Sequence, residues 1–230
     1  MVAAAARLFA EHGPSVPLED VAQSAGVAIA TVYRRFPNRA GLLTAAFERN
    51  IMSYVEAVDR ALAKRRPWDG FRCLILELCA LQASEPLLRG PIPNAFLTSP
   101  LIEQRTAEVL DKIGEVVTRA QREGSLRTDV RVVDVVVMLL ANAHILEATG
   151  GAAPRVWPRF VALMVDALHG SPDGELPPPI QLDELCDSIM MAAGIGCAAV
   201  RHDLRRIRTS PPTGGHLRNA EVDQKTVENL

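Results

Sequence analysis

The sequence predicts an all-α fold. Three observations lead there. Apolar residues recur at three- and four-residue spacing in one segment after another. No segment sustains two-residue alternation between turn residues. Helix-stopping residues, at Gly13-Pro14, Pro37, Pro67, the prolines of 86–100, Gly124 and Gly150-Gly151, punctuate the 230-residue chain at helix-length intervals. A hydrophobic share of 48% against 23% charged excludes disorder of the whole chain. With only 4% aromatics, the core must be built from Ala, Val and Leu.

The first helix occupies the start of the chain and stops at Gly13. A second, short helix is expected from Leu18 to Ala25, with Glu19 and Asp20 in the first turn, where negative charge suits the helix dipole. Gly26 permits a sharp turn. A third helix covers Ala28 to Arg35, and a fourth starts at Asn38, a good N-cap, and runs to Arg66. Past Pro67, the spacing of Phe71, Leu74, Ile75, Leu78 and Leu81 sets a helix over 68–84. Prolines at 86, 91, 93 and 100 make 85–100 a loop or broken helix. Helices follow over Leu101–Glu123, Arg131–Thr149 and Arg155–His169, then a linker over 171–179 and a short helix over Leu182–Ala193. From Arg201 the polar composition predicts a disordered tail.

The net charge of −2 excludes a uniformly basic protein but leaves room for a local basic face. Cysteines 73, 79, 186 and 197 form no C-x-x-C pair and have no His at a zinc-binding spacing, so neither a metal nor a disulfide framework is expected. Cys73 and Cys79 read as small buried apolar residues. The apolar stretch Val132–Leu146 contains Asp134, Asn142 and His144 and is too short to span a bilayer. The amino-terminal residues form an amphipathic helix, not a secretory signal, so the cytoplasm is the expected compartment. Paired carboxylates, Cys/His sets and glycine-rich phosphate loops with convincing spacing are all missing, so neither an enzyme nor a cofactor is expected.

The informative stretch is Leu8–Leu43, LFAEHGPSVPLEDVAQSAGVAIATVYRRFPNRAGLL. Its middle is helix, tight turn, helix. Ala22 and Ala25 let two short helices approach across Gly26, while Val21, Val27, Val32 and Phe36 supply an apolar seam. A helix-turn-helix lays its second helix in the DNA major groove, which requires an apolar inner side and short or polar residues outside. The outward set here is Ala28, Ile29, Thr31, Arg34 and Arg35. From Gly26 to Arg39 there are three Arg and no acid, a local +3 in a chain that is −2 overall.

These residues resemble the DNA-binding domain of the TetR/AcrR family of bacterial transcriptional regulators. The pattern is carried by Leu8-Phe9, Gly13, Asp20-Val21-Ala22, Ala25-Gly26-Val27, Thr31-Val32-Tyr33, Phe36, Asn38-Arg39 and Leu42. The resemblance covers residues 1–47. It implies base-edge contacts from Ala28, Ile29 and Ala30, phosphate contacts from Thr31, Tyr33 and Arg39, and base or phosphate contacts from Arg34 and Arg35. Three departures stand out. Ala28 replaces the usual capping Ser, Pro17 replaces a capping Thr, and about ten basic-rich residues are expected ahead of the first helix, so the amino-terminal arm reads as truncated.

The resemblance further implies a ligand-binding and dimerisation bundle over 48–180, followed by a short helix and tail over 181–230. The function expected is that of a ligand-responsive homodimeric repressor of a palindromic double-stranded DNA operator. The alternative is a DNA-binding-impaired relative that binds ligand or heterodimerises. Within the bundle, Gln82, Asn142, His144 and Glu147 are the candidate contacts for a small-molecule effector. Asn142 and His144, two apart, cannot share one helix face. Val132–Leu146 is apolar nearly all round and must be covered on most sides, in part by a second subunit together with the helix from Trp157 to Leu168.

Overall fold

The computed structural model describes residues 1–13, 15–89, 100–149, 152–170, 174 and 176–192. Among them the architecture is helical, with one isolated antiparallel bridge between Leu126 and His169. The helices are α1 Val2–His12, α2 Leu18–Ser24, α3 Ile29–Arg35, α4 Arg39–Leu62, α5 Pro67–Ser84, α6 Pro100–Glu123, α7 Val132–Thr149, α8 Val156–Ala167 and α9 Leu182–Ala192. A single 3-10 turn, Pro86–Leu88, lies within the proline-rich stretch expected to be a loop or broken helix. The expected tail from Arg201 and Cys197 lie outside the described residues.

Two apolar cores divide the molecule. The first gathers Ala5, Ala6 and Phe9 of α1, Val21 and Ala22 of α2, Val32 of α3, Leu42 through Ile51 of α4, and Ile102 of α6. The second gathers Val55 through Ala61 of α4 with the inner faces of α5, α6, α7 and α8. α4 belongs to both. Its 24 residues give a rod of about 36 Å at 1.5 Å per residue, uninterrupted between the cores.

Local chemistry sets the ends of α4. Asn38 Oδ1 accepts from Gly41 N at 2.8 Å, the cap expected from the sequence. The other end falls at Leu62, four residues short of the expected Arg66. There Arg119 Nη1 donates to the Leu62 carbonyl at 2.6 Å, a partner from another helix that propensity does not reveal. Arg66, preceding Pro67, is extended (φ −94°, ψ 123°) as the proline requires. α5 then returns so closely along α4 that a Cβ on Gly70 would meet the Ala61 carbonyl oxygen at 2.7 Å. A side chain there would push two backbones apart.

A polar clasp locks the far end of the bundle. The buried Arg127 donates from Nε and Nη2 to the two carboxylate oxygens of Asp129, at 2.9 and 2.6 Å, and from Nη2 to the Gly174 carbonyl at 3.1 Å. Leu176 N donates to the same carboxylate at 3.0 Å. Asp129 therefore ties the chain entering α7 to the segment that leads into α9. The Arg127 guanidinium, followed by the Leu176 N–H, holds its carboxyl far below the ordinary carboxylate range.

Two sequence expectations need correction. Cys79 is buried as expected, and burial pushes its thiol up to about 12. Cys73 is instead half-buried and donates to Glu77 Oε1 at 3.0 Å. Cys73, Cys79 and Cys186 are free thiols. The apolar stretch judged too short to span a bilayer belongs to the 18-residue α7, among the described residues the one helix long and apolar enough to do so by length and composition. Here its inner face, Val133, Val135, Met138, Asn142, Ala143 and Leu146, is buried in the bundle.

Three outcomes follow from the packing and the clasp. Gly70→Ala is expected to lower stability by about 1–3 kcal/mol in denaturant titration, because backbone atoms must shift. Gly114→Ala, whose Cβ meets nothing closer than 3.6 Å, is expected to raise it by about 0.5–1 kcal/mol. Asp129 is more acidic folded than unfolded, so its stabilisation is present above its unfolded value and drains away as pH falls below about 4. Thermal melts of Asp129→Asn at descending pH should lose less between pH ~5 and ~2 than wild-type melts do.

Candidate functional site

The amino-terminal site is built around a tight turn. α2 closes in a Schellman arrangement: Val27 N donates to Ala22 O at 3.0 Å and Gly26 N to Gln23 O at 3.1 Å. Gly26 takes φ +66°, a conformation that side-chain-bearing residues rarely adopt. Arg7 Nη2 of α1 donates to Ser24 Oγ at 2.9 Å, pinning the end of α2 to α1. α3 then lies across this frame with Val32 fully buried and Ile29 and Phe36 packed at the edge of the first core.

The expected departures at the helix starts are visible. Neither Pro17 before α2 nor Ala28 before α3 makes a side-chain cap bond. Both positions are nonetheless extended, as an N-cap requires, and both helices form.

Six of the eight expected DNA-contacting residues face outward: Ala28, Ala30, Tyr33, Arg34, Arg35 and Arg39. Ile29 and Thr31 are half-buried, and Ile29 shares its side chain with the first core. Tyr33 is 47% exposed, and its hydroxyl donates to Glu19 Oε1 across a long 3.3 Å bond between α3 and α2. Arg35 lies with its guanidinium carbon 6.0 Å from the Phe36 ring centroid, at the edge of cation–π range. Arg34 and Arg39 project from the end of α3 and the start of α4, on either side of Pro37. The result is a cationic ridge at the end of the molecule that holds the first core.

In the second half, the structure brings together two of the four expected effector contacts. Asn142 Nδ2 of α7 donates to Gln82 Oε1 of α5 at 2.9 Å and to the Cys79 carbonyl at 3.3 Å. Gln82 Nε2 in turn reaches the Leu88 carbonyl at 3.4 Å. Tyr54 of α4 completes the cluster. Burial raises its phenol above the ordinary range, Cys79 adds to the shift, and a hydrogen bond with Gln82 opposes it. Asn142 is 0% exposed, and its Oδ1 has no partner. Asn50, one turn before Tyr54 on α4, also buries an unpartnered atom, Nδ2.

His144 and Glu147 are not brought to this cluster. Both lie on the exposed side of α7, and His144 Nδ1 contacts its own helix at Leu140 O, 2.9 Å away. The two-residue offset from Asn142 noted in the sequence places His144 there, and Glu147, three residues on, shares its side. Sequence reasoning missed Tyr54 and Asn50. Each is a polar residue in an otherwise amphipathic helix, and only the apposition of α5 marks them out. Among the described residues no group of His, Cys, Asp and Glu could hold a metal ion.

Comparison with known proteins bears on the first site most directly. Residues 1–46 match the family model of bacterial regulatory proteins, tetR family. The chain is similar to the HTH-type transcriptional repressor KstR of Mycolicibacterium smegmatis, 28% identical over 120 residues, which covers 50% of this chain and 57% of that protein. It is also similar to the KstR of Rhodococcus jostii, 25% identical over 105 residues, or 46% and 48% of the two chains. It thus spans about half the length of the curated relatives it matches. Among solved structures it resembles the TetR transcriptional regulator SCO0520 from Streptomyces coelicolor, with a TM-score of 0.55 and 25% identity, over 74% of this chain and 96% of that one. Its amino-terminal helices thus match the tetR family of bacterial regulatory proteins over residues 1–46, and with the helical second half behind them the described fold resembles that of a solved TetR transcriptional regulator.

Proposed function

We propose that the protein is a ligand-responsive homodimeric repressor that binds a palindromic operator through residues 28–39 and works in the cytoplasm. The observation that carries this reading is the outward side of α3 and its flanks, where Arg34, Arg35 and Arg39 stand exposed with no acid between Gly26 and Arg39. A major groove about 12 Å wide admits such a helix. Ala28 and Ala30 let the backbone come close to base edges and offer apolar contact to thymine methyls, to which Ile29 contributes its exposed part. Thr31 and Tyr33 supply hydroxyls to phosphates beside the groove. Tyr33 exchanges its exposed bond to Glu19 for a phosphate oxygen, a charge-assisted acceptor. The relatives named repressors support the direction of regulation.

A second copy supplies the symmetry a palindrome needs. Val137 of α7 and Val156 and Leu163 of α8 are exposed apolar residues, Leu163 by 59%. Covering them with the same face of a second chain makes a four-helix contact. The effector enters the carboxy-terminal bundle, where Gln82 and Asn142 lie. Because α4 runs through both cores, a shift around its Tyr54 end moves its Asn38 end beside α3. A ligand can shift the equilibrium only by its differential affinity for the two geometries, typically about 5–150-fold. The alternative of a DNA-binding-impaired relative finds no favour in the geometry. The missing caps cost about 1 kcal/mol each, yet α2 and α3 form and the cationic ridge is open.

Two measurements test these assignments. The first is fluorescence anisotropy with duplex DNA from upstream of the chain's own coding sequence. The slope of log K against log[NaCl] should flatten by about 0.9 for each phosphate no longer neutralised in Arg34→Ala and Arg35→Ala. Unchanged slopes in both would remove the two residues from the interface. For the dimer, light scattering after gel filtration should show Leu163→Arg shifted to monomer mass while its helical circular dichroism is retained.

A further inference from the structure

We propose that Asn142 is the polar anchor of the effector, which is an uncharged apolar molecule carrying one hydrogen-bond donor, an alcohol hydroxyl or an amide N–H. The donor docks on Asn142 Oδ1, and its arrival reaches the DNA-binding half through Gln82 and the Pro86–Leu88 turn. The inference rests on the reading of the carboxy-terminal bundle as effector-sensing.

The orientation of the Asn142 amide is set by its neighbours. The Cys79 carbonyl can only accept, so Nδ2 must face it, and the reversed amide would set oxygen against oxygen. Gln82 Oε1 takes the second Nδ2 proton. Oδ1 is thereby turned away from both, in a residue with no exposed surface, and remains unmatched. A buried acceptor without a donor is costly, and an apolar pair in place of Asn142 and Gln82 would pack without that cost. The unmatched acceptor therefore marks a position that a donor completes. An anionic head group would meet oxygen at Oδ1, and Arg89, the cation beside Gln82, is engaged by the Gln82 and Ala83 carbonyls.

The other end of the relay leaves the bundle. Gln82 Nε2 donates to the Leu88 carbonyl at 3.4 Å, and Arg89 clamps the same corner by donating from Nε to Gln82 O at 2.6 Å and from Nη2 to Ala83 O at 2.8 Å. Leu87, one residue before Leu88, packs on the first core, and the turn lies against α1. A donor that draws Oδ1 toward itself rotates the amide, loosens the bond to Gln82 and frees the Leu88 corner. α1 is pinned to α2 through Arg7 and Ser24, so the disturbance arrives at the helix-turn-helix frame.

The test uses the full-length protein and two pairs of matched probes: trans-decahydro-2-naphthol with its methyl ether, and 1-dodecanol with its methyl ether. Each ether keeps the apolar body and loses the donor. Titration calorimetry should show at least one alcohol binding about tenfold more tightly than its ether, a difference that falls below twofold in Asn142→Leu. Hydrogen exchange should then show the tighter alcohol speeding exchange in residues 86–89 and in α1 of the wild type but not of Gln82→Leu. Equal affinity within both pairs, or no saturable binding of any member, overturns the anchor. Binding without change at 86–89 and α1 overturns the route. Neither arm contains DNA, so a failure of operator binding is read separately from a failure here.

Discussion

The buried stripe of α4 is the constraint on which the molecule depends. From Leu42 to Ala61 one face of this helix is continuously withdrawn from water, against α1 and the 3-10 turn in the first half and against α5 and α6 in the second. A helix holds its rise per residue far more rigidly than a loop holds its path. The position of the cationic ridge relative to the carboxy-terminal bundle is therefore carried chiefly by this rod, with α6, whose Ile102 joins the first core, packed along it. The close pass of α5 at Gly70 and the Arg119 cap at Leu62 fix the far end of that rod. The Asn38 cap and the turn at Pro37 fix the near end beside α3.

The two halves differ in how they treat polar groups. In the first core the buried residues are nearly all apolar, and the charged groups of α3 stay in water, where a ridge of three guanidinium groups costs little to hold. In the second, three helices and the 3-10 turn meet on an amide pair whose hydrogen-bonding capacity is only partly used. Buried polar clusters of this kind are costly unless completed. Their presence in an otherwise Leu-, Val- and Ala-rich core sets the second half apart from the first. The clasp of Arg127 and Asp129, at the far end, is by contrast well satisfied and holds the chain running into α9 in place.

The short proline-rich corner after α5 links these two behaviours. The 3-10 turn lies against α1 and sends Leu87 into the first core, while its Leu88 carbonyl receives Gln82 from the second. Arg49 on α4 reaches Glu85 at the start of this corner, 3.8 Å away, an exposed pair of small energetic weight. The halves are thus joined by two stiff, continuous helices, α4 and α6, and by this corner, which is small and hydrogen-bonded.

Much of this was legible in the sequence. Helix periodicity and the Gly and Pro stops located the helices of the described residues to within a few positions, because these signals are local and act through the backbone of the residue that bears them. The helix-turn-helix was legible for the same reason: Gly26, the small Ala22 and the Val21–Val32 seam are close neighbours along the chain. Tertiary structure alone decided where α4 ends, since Arg119 acts on Leu62 from 57 residues away. It also decided which polar residues of the bundle meet. Asn142 and Gln82 are 60 residues apart, so periodicity could place each on a helix but not on facing sides. His144 and Glu147 carry the same kind of local signal as Asn142 and differ from it only in the direction a neighbouring helix happens to lie.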